Sequence, residues 1–139
     1  MNISRILLPV DGSRLSDAAA EVCIDLAGES ASVVLLHVRR TVPTGLGEPN
    51  ASNLLAHLDK QAEGVMAHYR ARLNNASVDF IELVIGGDVA EVITNVAEVE
   101  KCDLIVIGSK GKSDLEGLFL GSVTHKVLQT TGKPVLVVK

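Results

Sequence analysis

Residues 103–123, DLIVIGSKGKSDLEGLFLGSV, join a buried-strand pattern to a glycine-punctuated loop and then to a helix start. Leu104, Ile105, Val106 and Ile107 form an unbroken apolar run. A strand with one wet face alternates apolar and polar residues, whereas one without alternation is covered on both faces, as in the middle of a parallel sheet. The pattern predicts a turn at Gly108, with Gly111 and Gly121 following and Ser122 behind the last, in the spacing G-x2-G-x9-G-S. Glycine accepts positive φ and lets backbone approach a ligand with no Cβ in the way, which exposes amide N–H groups to an anion. Ser122 adds a hydroxyl and Val123 an amide at a helix N-terminus, where unpaired donors and the helix dipole favour negative charge. Together these residues read as a phosphate cradle; taken singly, each glycine is an ordinary turn residue.

Two competing motifs fail on spacing. Gly111-Lys112-Ser113 looks like the end of a Walker A loop, but that motif needs a glycine five positions earlier, where Val106 stands. Gly108-Ser109-Lys110-Gly111 is not a nucleophile elbow, which centres serine between glycines four apart. Within the loop, Ser109 and Ser113 offer hydroxyls, and Lys110 and Lys112 offer positive charge, of which Lys112 is the better candidate. Asp114 and Glu116 offset that charge, and loop lysines are usually solvated.

Outward from this stretch, strands and helices alternate. Residues 3–10 read as a first strand, ended by the turn Asp11-Gly12-Ser13. Ser13 caps a helix whose apolar residues Leu15, Ala18, Ala19, Val22, Cys23 and Leu26 fall at helical spacing, and Gly28 suits its end. Residues 32–38 give a second strand, so strand, amphipathic helix and strand indicate a parallel crossover. Two prolines and two glycines within residues 41–50 mark an irregular loop. The longest helix is expected over 53–73; His57 and His68 on it are roughly 16 Å apart along the axis and cannot share a metal. A third strand follows at 80–84. Asp88 and Glu91 then make a capping-box-like start for a helix with Val89, Val92, Ile93, Val96 and Ala97 on one stripe. After the glycine loop, a short helix over 122–130 closed by Gly132 leads to a last strand at 135–138. This alternation specifies a single α/β domain: a doubly wound, mostly parallel sheet of five strands with helices on both faces. Such sheets bind ligands at the strands' carboxyl ends where the winding reverses.

The glycine motif, with the opening run Ile6-Leu7-Leu8-Pro9-Val10-Asp11-Gly12-Ser13 and the closing run Lys133-Pro134-Val135-Leu136-Val137-Val138, resembles the ATP-binding subgroup of the universal stress protein family. The likeness covers nearly the whole chain. It implies a Rossmann-like sheet, similar to the adenine nucleotide alpha hydrolases, with strand order 3-2-1-4-5, which sets Asp11 and the glycine loop on one crevice. It further implies ATP as ligand, with Mg2+ or Mn2+ bridging the phosphates. By this resemblance Pro9 borders the adenine, the main chain of Val38 reads its edge, and Asp11 lies beside the nucleotide. Gly108, Ser109, Gly111, Lys112, Ser113, Gly121, Ser122 and Val123 then surround the phosphates. From local sequence alone Asp11 is as readily a turn former or helix cap, and Val38 a core valine. The resemblance also implies a homodimer pairing through residues 135–138, an uncharged apolar run of the kind that makes a sheet edge adhesive. Val89 departs from the family's frequent proline after Gly87-Asp88; proline there only pre-sets helix geometry.

Composition sets the limits. With 139 residues, 47% of them apolar, the chain has material for one substantial core. A net charge of −4 gives no electrostatic case for nucleic acid or an anionic membrane, and 2% aromatic residues with no Trp give no base-stacking platform. Cys23 and Cys102 form no C-x-x-C pair and read as buried thiols suited to a reducing cytosol. The apolar run at residues 6–10 is interrupted by Pro9 and too short for a signal peptide, and no stretch reaches the length of a membrane span, so the cytoplasm is the expected compartment.

The expected function is that of a nucleotide-binding regulatory or stress-response module. The alternative is a slow ATP hydrolase or phosphotransferase using the same pocket; Asp11 is its one nearby base candidate, and no arginine falls in the loop to organise water attack. A third reading, an interaction protein with a vestigial pocket, fits poorly with the intact glycines. His37, His125 and Lys126 read as a satisfied strand histidine and two surface groups.

Overall fold

In the computed structural model, which describes residues 2–112, 114 and 120–139, the elements alternate as the sequence pattern requires. They are β1 (Arg5–Pro9), α1 (Arg14–Ala27), β2 (Ser32–Arg39), α2 (Asn50–Asn75), β3 (Phe80–Gly86), α3 (Val89–Val99), β4 (Leu104–Gly108), α4 (Ser122–Thr130) and β5 (Val135–Val138). The strands form one all-parallel sheet in the order β3-β2-β1-β4-β5.

The non-alternating apolar runs are explained by two cores. Successive side chains of a strand point to opposite faces, so Ile6, Leu8, Val33, Leu35, Leu104 and Val106 meet Ala19, Ala20 and Cys23 of α1 and Met66, Tyr69 and Leu73 of α2. On the other face Leu7, Val34, Leu36, Ile105 and Ile107 meet Ala90, Ile93, Val96 and Ala97 of α3 and Val127 of α4. Each fully buried Leu or Ile contributes about 2 kcal/mol. Cys23 and Cys102 are buried free thiols, and burial pushes them up to about 12 and about 11, so both stay protonated.

Element ends differ from expectation for local reasons. β1 starts at Arg5, where Asp103 Oδ2 accepts from the Ser4 amide at 2.8 Å, the Ser4 hydroxyl at 2.9 Å and the Arg5 amide at 2.9 Å. α2 begins earlier, at Asn50, behind Pro49, and the Glu48 carboxylate takes the Ser52 amide at 2.8 Å. β3 runs on to Gly86 because β2 continues to offer it partners as far as Arg39. Gly132 is not the closing residue of α4; the amide of Thr131 donates to Val127 O at 2.9 Å instead. Gly108 is no turn but the last residue of β4, in register with Val138. Among the described residues no helix is long and apolar enough to cross a membrane.

Candidate functional site

The winding reverses between β1 and β4, with α1 and α2 on one face and α3 and α4 on the other. Neighbouring strands whose connections leave in opposite directions open a crevice at their carboxyl ends. A cleft of about 390 Å³ lies there. Pro9, Asp11, Val38, Gly108, Gly111, Lys112, Ser122 and Val123 line it, whereas Ser109 and Gly121 do not, and Ser113 lies outside the described residues.

Asp11 joins the two stretches that line the crevice. Its Oδ1 accepts the Ser13 amide at 2.9 Å, and its Oδ2 accepts the amide of Lys112, 101 residues away, at 3.0 Å. Its own amide donates to Ser16 Oγ at 3.1 Å. Ser16 is held in turn by the buried Tyr69, whose hydroxyl lies 2.9 Å from Ser16 Oγ and 2.6 Å from Asp17 Oδ1. Burial first, then the Asp17 carboxylate, pushes the Tyr69 phenol above its usual range, so it remains a neutral donor. Ser13 caps α1 by accepting the Ser16 amide at 3.2 Å.

The glycines have reasons other than positive φ, which none of Gly108, Gly111 and Gly121 adopts. A Cβ at Gly108 would stand 3.0 Å from the Leu15 carbonyl carbon and oxygen, so glycine is required there for α1 to pack on β4. The Gly108 carbonyl accepts the buried Thr124 hydroxyl at 2.8 Å. The Ser109 amide donates to Val138 O and its carbonyl accepts the Gly121 amide, both at 2.7 Å, which commits Ser109 and the Gly121 N–H to the frame. A side chain at Gly121 would run into the Asp114 carboxylate and stand 3.1 Å from the Lys110 Cα.

The donors lie elsewhere. α4 is capped by Gly121 with no side-chain hydrogen bond, and the first-turn amides of Ser122, Val123 and Thr124 have no acceptor within the helix. His125 is the first residue to bond back, to Gly121 O at 2.9 Å. Val38 offers a second set. Alternate residues of a parallel strand send their N–H and C=O to the same neighbour, and Leu36 O faces β1, accepting the Val10 amide at 2.8 Å. Val38, two residues on, faces the same way where β1 has ended, so its main-chain groups face the cleft.

Other candidates resolve plainly. His37 Nδ1 is 2.8 Å from Val10 O, a satisfied strand histidine at the cleft wall. His57 and His125 are exposed; His68 is exposed too, but its Nε2 is 3.3 Å from Asp17 Oδ1. Lys126 pairs with Asp88 at 3.3 Å. Sequence reasoning missed Leu58 and Ala62, part of the α2 stripe that walls the cleft, and Arg39, whose Nε is 3.2 Å from Asp59 Oδ1. It also treated Asp114 as mere counter-charge, although its Oδ2 accepts the Gly111 amide at 2.6 Å. The signal was there: an aspartate a few residues from loop amides commonly accepts from them.

Residues 2–139 match the model of the universal stress protein family. The chain belongs to that family. A universal stress protein of Thermus aquaticus, from the 3′ region of the QAH/OAS sulfhydrylase, is 36% identical over 135 residues, 96% of this chain and 97% of its own. The solved structure of MJ0577, a universal stress protein of Methanocaldococcus jannaschii, superposes with a TM-score of 0.91 at 31% identity, covering 100% of this chain and 97% of that one. A universal stress protein solved in complex with cAMP shares the fold at a TM-score of 0.70 and 22% identity, over 99% of this chain and 98% of its own.

Proposed function

We propose that this universal stress protein binds an adenine nucleotide, ATP in particular, in the cleft at the carboxyl ends of β1 and β4 and acts as a nucleotide-dependent regulatory module. The observation that carries the reading is the bond from the Lys112 amide to Asp11, which holds the glycine loop against the end of β1 beside a cleft walled by uncommitted donors. The phosphates lie against the first-turn amides of α4 and beside Gly111, with Lys110 and Lys112 supplying positive charge. The adenine lies between Pro9, Val38 and Leu58, its edge toward the Val38 main chain. The cAMP-bound relative favours an adenine nucleotide as the ligand class.

Mg2+ or Mn2+ fits this arrangement as a bridge between phosphates. Among the described residues no three acidic, histidine or cysteine side chains converge to hold a cation; a divalent ion here would be held mainly through the ligand, with Asp11 the carboxylate at hand. Such an ion would supply charge neutralisation of the tail. The same reading takes residues 1–139 as one cytoplasmic domain that pairs with a second copy through the β5 edge, where Leu136 is exposed.

Calorimetry with ATP and Mg2+, run with a phosphate-release assay on the same preparation, tests the proposal. Binding with negligible turnover is expected. Ser122→Pro, which removes one first-turn amide of α4 at the helix position that tolerates proline, should weaken ATP about tenfold, close to 1.4 kcal/mol, with an unchanged far-ultraviolet spectrum. Unaltered affinity in that variant would remove the cradle, and turnover abolished by Asp11→Asn would move the chain to the hydrolase reading.

A further inference from the structure

Asp114 places a negative charge where an anionic ligand would go. Its Oδ2 takes the Gly111 amide at 2.6 Å and presses against Gly121 closely enough to forbid any side chain there. The absent Cβ of Gly111 would stand 2.9 Å from Asp11 Oδ2 and 3.5 Å from Asp114 Oδ2, so two carboxylates flank one loop residue. Asp11 takes the next amide, that of Lys112, at 3.0 Å. Successive loop amides are what a backbone nest offers an oxyanion, and here the chain's own carboxylates fill both. Asp11 is tied at both oxygens, to Ser13 and to Lys112. Asp114 makes a local bond, three residues from its partner, so its carboxylate can leave by side-chain rotation without dismantling the sheet.

We infer that the Asp114 carboxylate is an internal stand-in for phosphate, which closes the empty cradle and sets how readily a phosphate tail opens it. The inference rests on the nucleotide reading above and adds a selectivity to it. A phosphate group and this carboxylate need the same amide and carry the same sign of charge, so they cannot share the loop. A tail must displace Asp114, whereas adenosine, which has no phosphate, leaves the contact in place. Asp114 therefore acts against phosphate-bearing ligands and is neutral toward the nucleoside.

The test is calorimetry of ATP with Mg2+, and of adenosine, on the wild type, Asp114→Asn and Asp114→Ala, with the Gly111 amide followed by nitrogen-15 NMR. Asp114→Ala should tighten ATP about tenfold and leave adenosine within about twofold, with Asp114→Asn between, since a carboxamide oxygen still accepts but without charge. The Gly111 resonance should move in ligand-free Asp114→Ala and again when ATP is added to the wild type. ATP affinity unchanged or weakened in both variants, with the wild type binding, would overturn the stand-in and leave nucleotide binding intact. An equal gain for adenosine would overturn it too, because the effect would then not pass through the phosphate site. ATP binding by the alanine variant alone would support it strongly. Failure of wild type and variants alike to bind ATP would remove the nucleotide reading and this inference together.

Discussion

Aspartates gather backbone amides at both ends of the sheet, and the carboxyl end also holds a cleft. At the amino end a single oxygen of Asp103 accepts three donors from Ser4 and Arg5 and ties the start of β4 to the start of β1. At the carboxyl end Asp11 and Asp114 each take one loop amide, beside a cleft of about 390 Å³. The two strands are in register only at Ile6 with Leu104 and Leu7 with Ile105, near their starts. Clamped at one end, they part toward the other. One device, a carboxylate on backbone N–H groups, thus ties two strand starts together at one end and, on the inference above, serves as a displaceable cover where the strands diverge.

The comparison breaks hardest at Gly108, the last residue of β4, where the carboxyl end has no slack. Gly108→Val would force side-chain atoms into the Leu15 backbone, already 3.0 Å from the missing Cβ, and α1 would have to lift from β4. Overpacking against backbone of this kind costs about 3 kcal/mol. Urea unfolding should show a lower midpoint with an unchanged slope, and ATP binding should weaken with it, because α1 carries Ser16, the anchor of Asp11. A variant as stable as the wild type would show the helix end to be pliable, and the rigid half of the comparison would fail.

A smaller effect is expected at Tyr69, which links the cleft to the core beneath it. Tyr69→Phe keeps the buried ring and removes the hydroxyl held between Ser16 and Asp17. The loss should be about 1.5 kcal/mol by denaturant titration, since Ser16 then loses a buried partner. ATP should weaken about threefold as the hold on the Asp11 amide loosens. The phenol's folded value is raised, so its contribution is fully present below the unfolded value near 10 and falls only as pH rises through the folded one. The gap between variant and wild type should therefore be flat from about pH 6 to 9. A gap that changes across neutrality would show that something other than the phenol carries the effect.

The sheet was legible because its evidence is local and repeated: doubly apolar runs at β1, β2 and β4, and a helical stripe between each pair. Strand order and the meeting of Asp11 with the glycine loop were reached only through family resemblance, since nothing in 139 residues marks which strands are neighbours. The glycine spacing was legible, but the backbone conformation was not: none of Gly108, Gly111 and Gly121 takes the positive φ that the spacing suggested. Spacing flags absent side chains, but whether backbone, a carboxylate or a ligand fills the space depends on residues far away, as Leu15 does for Gly108. The Ser16–Tyr69 contact spans 53 positions, and Tyr69 sits in an apolar stripe where its ring alone accounts for it. Asp114 was visible but read as charge, because an acceptor's partner is a matter of loop geometry rather than of composition.

The smallest effect sharpens the other end. Asp103→Asn keeps an oxygen to accept from Ser4 and Arg5 but removes the charge that strengthens those bonds. In the wild type the Ser4 amide, the Ser4 hydroxyl and the Arg5 amide hold the Asp103 carboxyl below its ordinary value of 3.8. A depressed folded value means that the carboxylate's stabilisation is present above the unfolded value and disappears as pH falls through the folded one. The wild type should thus exceed the variant by a constant margin from about pH 5 to 7, with the margin closing below about pH 4. Acid titration followed by circular dichroism checks this. A margin that persisted at pH 2 would show that shape rather than charge ties β4 to β1, and the charge on the carboxylate would then not be what holds the two strand starts together.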